Sequence, residues 1–213
     1  MSNIHTLTRL TAAMAAALAF AAPAIAANTL TGWAQLPAAT FTDGPTSGQF
    51  ANNNPYGSNP MPYLNQQPVQ GFSGVLAGPV AGTFTVMVDN GFGAKANSAD
   101  ALLRLYSLKP DWSQHTVSAA DFSTGAVLPA FTAASRLTLN DAQRKMPFAI
   151  VADGATYPGS VIAVDPAISA GRLLTGGDLD IESMRRDRQG NLWFGEEFGP
   201  LPRADVIPLK EVK

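Results

Sequence analysis

Short apolar runs punctuated by glycine, proline and asparagine set the pattern of the chain beyond its first 26 residues. Residues 83–88, 102–106, 148–152, 161–164 and 192–196 are rich in aliphatic, β-branched or aromatic side chains and are bounded by turn formers, which predicts strands. All 19 glycines and all but one of the 16 prolines lie beyond Ala26, so frequent turns are expected and long helices are not. Many short strands at this spacing predict an all-β domain. Residues 52–68, rich in Asn, Pro and Gln, read as an extended surface loop.

The N-terminus follows a different pattern. Arg9 supplies a positive flank, residues 10–22 form an alanine-dominated apolar run, and Ala24-Ile25-Ala26 offers the small-x-small pattern of signal peptidase sites. The run is shorter than the about 20 residues a membrane-spanning helix needs. Residues 1–26 are therefore expected to be a signal peptide cleaved after Ala26; a buried N-terminal helix is the alternative. Cleavage predicts a periplasmic or secreted protein with no stable membrane insertion, and leaves His115 as the one histidine.

A repeat sharpens the all-β expectation. One copy runs Gln70-Gly71-Phe72-Ser73-Gly74-Val75, a turn, then Gly82-Thr83-Phe84-Thr85-Val86-Met87-Val88-Asp89-Asn90-Gly91-Phe92-Gly93. The other runs Asp180-Ile181-Glu182-Ser183-Met184-Arg185, a turn, then Gly190-Asn191-Leu192-Trp193-Phe194-Gly195-Glu196-Glu197-Phe198-Gly199. Each is strand, glycine turn, apolar strand, acidic end, Phe-Gly. Blades of about 40–50 residues would put two blades, or more with an insertion, between the copies, which predicts a β-propeller-like array of antiparallel blades. The chain holds about four blades at best, so the array is expected to be incomplete. Residues 201–213, which continue no blade pattern, read as an unrelated short tail.

Composition mostly excludes. With 14 Lys+Arg against 16 Asp+Glu the chain has no basic face for nucleic acid, and without cysteine it has no disulfides, thiolate nucleophile or thiolate-held metal. No Gly-x-Ser-x-Gly elbow, Walker loop, dinucleotide fingerprint or His-rich cluster occurs. His115, in a polar segment, is expected to be solvated rather than part of a triad.

Carboxylates remain. In Asp178-Leu179-Asp180-Ile181-Glu182 acids alternate with aliphatics, so a strand would carry all three on one face. A hairpin turning near Gln189 pairs Glu182 with Glu196, and a turn at residues 78–82 sets Gln70 opposite Asp89. Facing carboxylates destabilise a sheet unless a cation or a shared proton relieves them. Asp89, Asp180, Glu182, Glu196 and Glu197 are thus candidate ligands for a hard cation such as calcium, with Glu182, Glu196 and Asp89 as candidate catalytic carboxylates. The alternative is a solvated acidic face. Lys95, after the turn Asn90-Gly91-Phe92-Gly93, and Arg172 or Arg185 are candidate phosphate-binding cations. Trp193 and Phe194 read as core.

Several stretches resemble one family. These are Gln67-Pro68-Val69-Gln70-Gly71-Phe72-Ser73, Asp89-Asn90-Gly91-Phe92-Gly93-Ala94-Lys95-Ala96-Asn97-Ser98-Ala99-Asp100, Val151-Ala152-Asp153-Gly154, Tyr157-Pro158-Gly159-Ser160 and Gly190-Asn191-Leu192-Trp193-Phe194-Gly195-Glu196-Glu197-Phe198-Gly199-Pro200. Together they resemble the phytase-like family named for an esterase-like activity of phytase, over about residues 32–200. The resemblance implies an exported propeller-like domain, partial here, acting on a small-molecule phosphoester through recurring acids. Asp89, Asp100, Asp153, Asp180, Glu182, Glu196 and Glu197 match those acids in this chain. The family's domain continues past the Phe-Gly-Pro motif, so an N-terminal portion is expected. Three outcomes follow: a metal-assisted phosphoester hydrolase, a non-catalytic binding propeller, or a fragment inactive alone.

Overall fold

A computed structural model describes residues 29–56 and 59–199; the expected signal peptide and the tail at 201–213 lie outside the described residues. Residues 29–32 have no regular structure, and the account below concerns residues 33–199. The protein is all-β. β1 (Phe41–Asp43) pairs with β2 (Gln66–Pro68), and β3 (Phe72–Ala77), β4 (Phe84–Val88), β5 (Arg104–Asp111) and β6 (Thr116–Ala120) run as an antiparallel up-and-down meander. Short β7 (Val127–Leu128) extends that sheet beside β6, and β8 (Arg136–Thr138) pairs with the start of β5. After a short helix, α1 (Pro166–Gly171), a separate hairpin forms from β9 (Ile181–Arg186) and β10 (Leu192–Glu196). A four-stranded meander is the unit that propeller blades use, but among the described residues no sheet closes on itself.

The period-2 alternation of strands places successive side chains on opposite faces, and here both faces of β4 and β5 are covered. Met87 and Leu105 enter one core layer with Leu103, Leu174, Ile181 and Met184. Val86, Val88, Tyr106 and Leu108 enter a second layer with Ala119 and Phe131. Burial on both faces explains why β4 ends in the unbroken apolar run Val86-Met87-Val88 rather than in an alternation. The second hairpin joins the first layer through Ile181, Met184 and Leu192. Gly74 lets the two hairpins approach, since a Cβ there would sit 3.2 Å from the Met184 Cβ and from the Met87 Cε.

Three expectations are corrected. The two hairpins are not separated by two further blades: the intervening chain completes the first sheet and then runs irregularly through residues 121–180 with only short elements. Residues 148–152 and 161–164 are not strands. Val151–Asp153 is a 3-10 turn whose Val151 and Ala152 enter the core from irregular backbone, while Val161 is exposed and residue 163 makes one isolated bridge to Thr156. The segment 52–68 is more than a loop, because Tyr63 and Gln67 are fully buried. The Gln67 amide donates to the Pro45 and Asp100 carbonyls and accepts from Leu102 N, tying β2 to the meander.

Candidate functional site: an acidic centre between two bulged hairpins

Both hairpins carry a bulge of one residue at the same place. In β3–β4 the register steps from Phe72↔Val88 to Gly74↔Met87, leaving Ser73 unpaired. In β9–β10 it steps from Glu196↔Ile181 to Gly195↔Ser183, leaving Glu182 unpaired. Just beyond each bulge the same backbone bond recurs: Asp89 N donates to Gly71 O at 2.8 Å, and Glu197 N donates to Asp180 O at 2.9 Å. Glu197, rather than Glu196, therefore occupies the place of Asp89. A bulge re-aims side chains at sheet ends and near functional sites, and here it corrects both expected registers. Glu196 faces Ile181 instead of Glu182, and Asp89 meets Gly71 instead of Gln70.

Asp180, Glu182 and Glu197 converge, with one carboxylate oxygen of each within 4.8 Å of the others. Asp180 is 9% exposed. One of its oxygens accepts from Asn90 Nδ2 at 2.7 Å, while Oδ1 is buried without a hydrogen-bond partner. Asn90, itself 3% exposed, also accepts from Gly93 N at 2.8 Å through its side-chain oxygen. One side chain thus aims Asp180 and closes the turn that leads to Lys95. Asp89 borders the group: burial pushes its carboxyl above the usual range and the Asp180 charge adds to that, against the Gly91 N–H that holds it down. Its side chain lies over Gly71, where φ is +70° and a Cβ would stand 2.7 Å from Asp89 Oδ1. Glu182 is exposed on the strand, yet its carboxyl is likewise raised, by partial desolvation first and by the Asp180 and Asp89 charges, with the nearby Ser73 side chain opposing them.

The other predicted residues are placed differently. Glu196 Oε1 accepts from Asp180 N at 3.2 Å and from Phe198 N at 2.8 Å, so it fastens the backbone around the cluster and is not one of the three converging acids. Asp178 does not share a face with Asp180 and Glu182, because β9 begins only at Ile181; it turns inward and accepts from Val151 N, Thr175 N and the Thr175 hydroxyl. Arg172, at the left-handed C-cap of α1, is held by ion pairs to Asp141 and Asp153. Asp100 is fully buried and accepts from Gln49 N. Arg185 is exposed, donates to Met184 O, and lies across the hairpin from Trp193. Trp193 is half-exposed, its indole donating to Asp187, so it is not core; Phe194 does pack on the first core layer. Lys95 is exposed, with Nζ 5.5 Å from the centre of the Phe198 ring, the residue after Glu197.

Beside the cluster lies a cleft of about 320 Å³ whose walls include Lys95, Phe148, Ile150, Thr156, Pro158 and Asp178. Sequence reasoning missed this cleft, since its walls come from irregular backbone. It also missed the role of Asn90, for which the only signal was an Asn between an apolar strand and a Gly-x-Gly turn.

The donor set tests well for a hard cation. It is all oxygen, it converges, and it includes a buried carboxylate oxygen that no protein donor satisfies; such an orphan is costly without a partner. The architecture and site together define an all-β domain with a carboxylate centre set by paired bulged hairpins. A family model described as Phytase-like, "Esterase-like activity of phytase", matches residues 67–207, and the chain belongs to that family. The match spans both hairpins and the cleft and extends into the stretch read above as an unrelated tail. No curated protein and no solved structure matches the chain significantly.

Proposed function

We propose that the protein is an exported hydrolase of small phosphoesters whose acidic centre works with a bound calcium ion. The observation that carries this reading is the convergence of the Asp180, Glu182 and Glu197 carboxylates around a residue, Asp180, whose Oδ1 is buried without a partner. Family membership supports hydrolase-type chemistry, and the N-terminal pattern supports export to the periplasm or exterior. Among the described residues no helix is long and apolar enough to cross a membrane. Asp180, Glu182 and Glu197 would hold the cation, with Asp89 at its edge. When bound, calcium supplies positive charge for phosphoryl oxygens and acidifies a water.

The chain's own groups divide the remaining work. Asn90 fixes Asp180, and Glu196 fixes the backbone N–H groups of Asp180 and Phe198, so the centre is organised before substrate arrives. Lys95 carries the exposed positive charge that pairs with phosphoryl oxygen; among the described residues it forms no ion pair. Arg172 is spent on Asp141 and Asp153, and Arg185 stands on the hairpin by Trp193. Glu182, which would hold the cation through one carboxylate oxygen, is assigned the proton transfer through the other, taking a proton from the attacking water and handing it to the leaving oxygen. The water oxygen bonds to phosphorus, the ester P–O bond breaks, and the alcohol leaves with the proton.

The test is hydrolysis of phenyl phosphate in calcium and in chelator. Glu182→Gln should lower kcat by about 100-fold or more with a small change in KM. An unchanged kcat would refute the assignment of Glu182. Saturable phosphate-ester binding with no turnover in the wild type would favour a non-catalytic binding domain.

A further inference from the structure

The cleft beside the acidic centre has a composition that selects among phosphoesters. Its walls are largely apolar or neutral, with Phe148, Ile150, Val151, Thr156 and Pro158 prominent. Its two carboxylates are already engaged by protein groups. Asp178 accepts three protein hydrogen bonds, and Asp153 is ion-paired with Arg172 and with Arg144. Lys95 is the only cation among the lining residues. A polyphosphorylated polyol would bring many negative charges into a space offering one positive side chain, next to four carboxylates. A substrate with one phosphoryl group and an apolar alcohol meets the opposite balance.

Continuity ties the cleft to the centre. Asp178 lines the cleft and Asp180 belongs to the cluster, only two residues apart in the chain. Lys95 lines the cleft and lies over Phe198, next to Glu197. The Asn90 carbonyl abuts Gly176, where any Cβ would clash with it, so the turn leading to Lys95 and the Gly176-Gly177-Asp178 wall are packed as one piece. The volume of about 320 Å³ falls at the small end of ligand sites, about 300–1,000 Å³.

We infer that this cleft seats the apolar alcohol portion of a substrate bearing a single phosphoryl group, with Lys95 holding phosphoryl oxygen between cleft and acidic centre. The inference rests on the hydrolase reading for its chemistry, but its test is a binding measurement. Phenylphosphonate and methylphosphonate, which cannot be hydrolysed at an ester bond, are titrated calorimetrically into the full chain with calcium. The phenyl compound should bind about 10-fold tighter or more, the worth of burying a small apolar group. Thr156→Trp, which fills the cleft from an exposed position, should shrink that ratio below about 3-fold; Pro158→Trp, on the same wall, serves if the first variant does not fold. Equal binding of the two phosphonates, binding of neither, or a ratio untouched by both variants overturns the assignment. Hydrolysis of phenyl phosphate, followed in parallel, separates the two failures. Turnover without aryl-selective binding defeats the cleft assignment alone, whereas aryl-selective binding without turnover leaves it standing and defeats the hydrolase reading.

Discussion

Replacing Asn90 with alanine removes the side chain that aims Asp180. Two short bonds are lost, one to a buried carboxylate at 2.7 Å and one from Gly93 N at 2.8 Å, together with a long one from the Ser98 hydroxyl at 3.4 Å, in a position 3% exposed. A hydrogen bond to a charged group is worth about 1.5–3 kcal/mol and a neutral one about 1 kcal/mol. The variant should therefore lose about 3 kcal/mol, or about 6–12 °C in Tm for a domain of this size. Urea unfolding in chelator measures the loss by linear extrapolation. Calcium at about 100 times its Kd should stabilise the wild type by about 2.7 kcal/mol and the variant by clearly less, because Asp180 is no longer held in place. A loss below about 1 kcal/mol in chelator, or equal stabilisation of both proteins by calcium, would refute the positioning role of Asn90.

Four further outcomes are expected. Gly71→Ala places a Cβ at positive φ against Asp89 and should cost about 1–3 kcal/mol in urea unfolding, with weaker calcium binding by calorimetry. Arg172→Ala strips the partner from buried Asp141 and should cost about 3 kcal/mol in urea unfolding; a loss below about 1 kcal/mol would refute the structural pairing of Arg172. Asp100 is fully buried, burial raises its carboxyl pKa, and its Oδ1 lacks a partner. The folded state then holds the proton more tightly than the unfolded one, so this contribution to stability falls as pH rises from about 4 through the raised value; Asp100→Asn should flatten that fall in Tm measured from pH 4 to 7. Met184→Ala, at the contact with Gly74, should cost about 2–5 kcal/mol in the same urea assay.

The hairpins at residues 72–88 and 181–196 were legible because a two-residue period with a glycine turn leaves little freedom in their pairing. Their registers were not, since a bulge is one extra residue with no distinctive composition; Ser73 and Glu182 look like ordinary strand positions. The apolar run at 148–152 misled for a physical reason. Its side chains reach the core from a 3-10 turn in which distant Asp178 accepts from Val151 N and Asp153, itself paired with distant Arg172, accepts from Ile150 N, so these backbone groups need no strand partner. Much the same divides the site. Asp89, Asp180, Glu182 and Glu197 stood out because acids recur at matching ends of the repeat. The separate duty of Glu196, the inward turn of Asp178 and the pairing of Arg172 depend on tertiary contacts, and Trp193 escaped the core because its cross-strand place on the hairpin faces outward beside Asp187.

The most direct measurement is a calorimetric titration of the purified chain with calcium at pH 7, repeated on Asp180→Asn and on Asp121→Asn, a half-exposed turn carboxylate whose turn packs at the opposite end of the β3–β4 hairpin from its bulge. The account predicts one saturable site with a Kd between about 1 μM and 1 mM, weakened at least about 10-fold by Asp180→Asn and unchanged by Asp121→Asn. Absence of a saturable site in the wild type, or the same affinity in Asp180→Asn, would contradict the claim that the paired bulges build a cation centre.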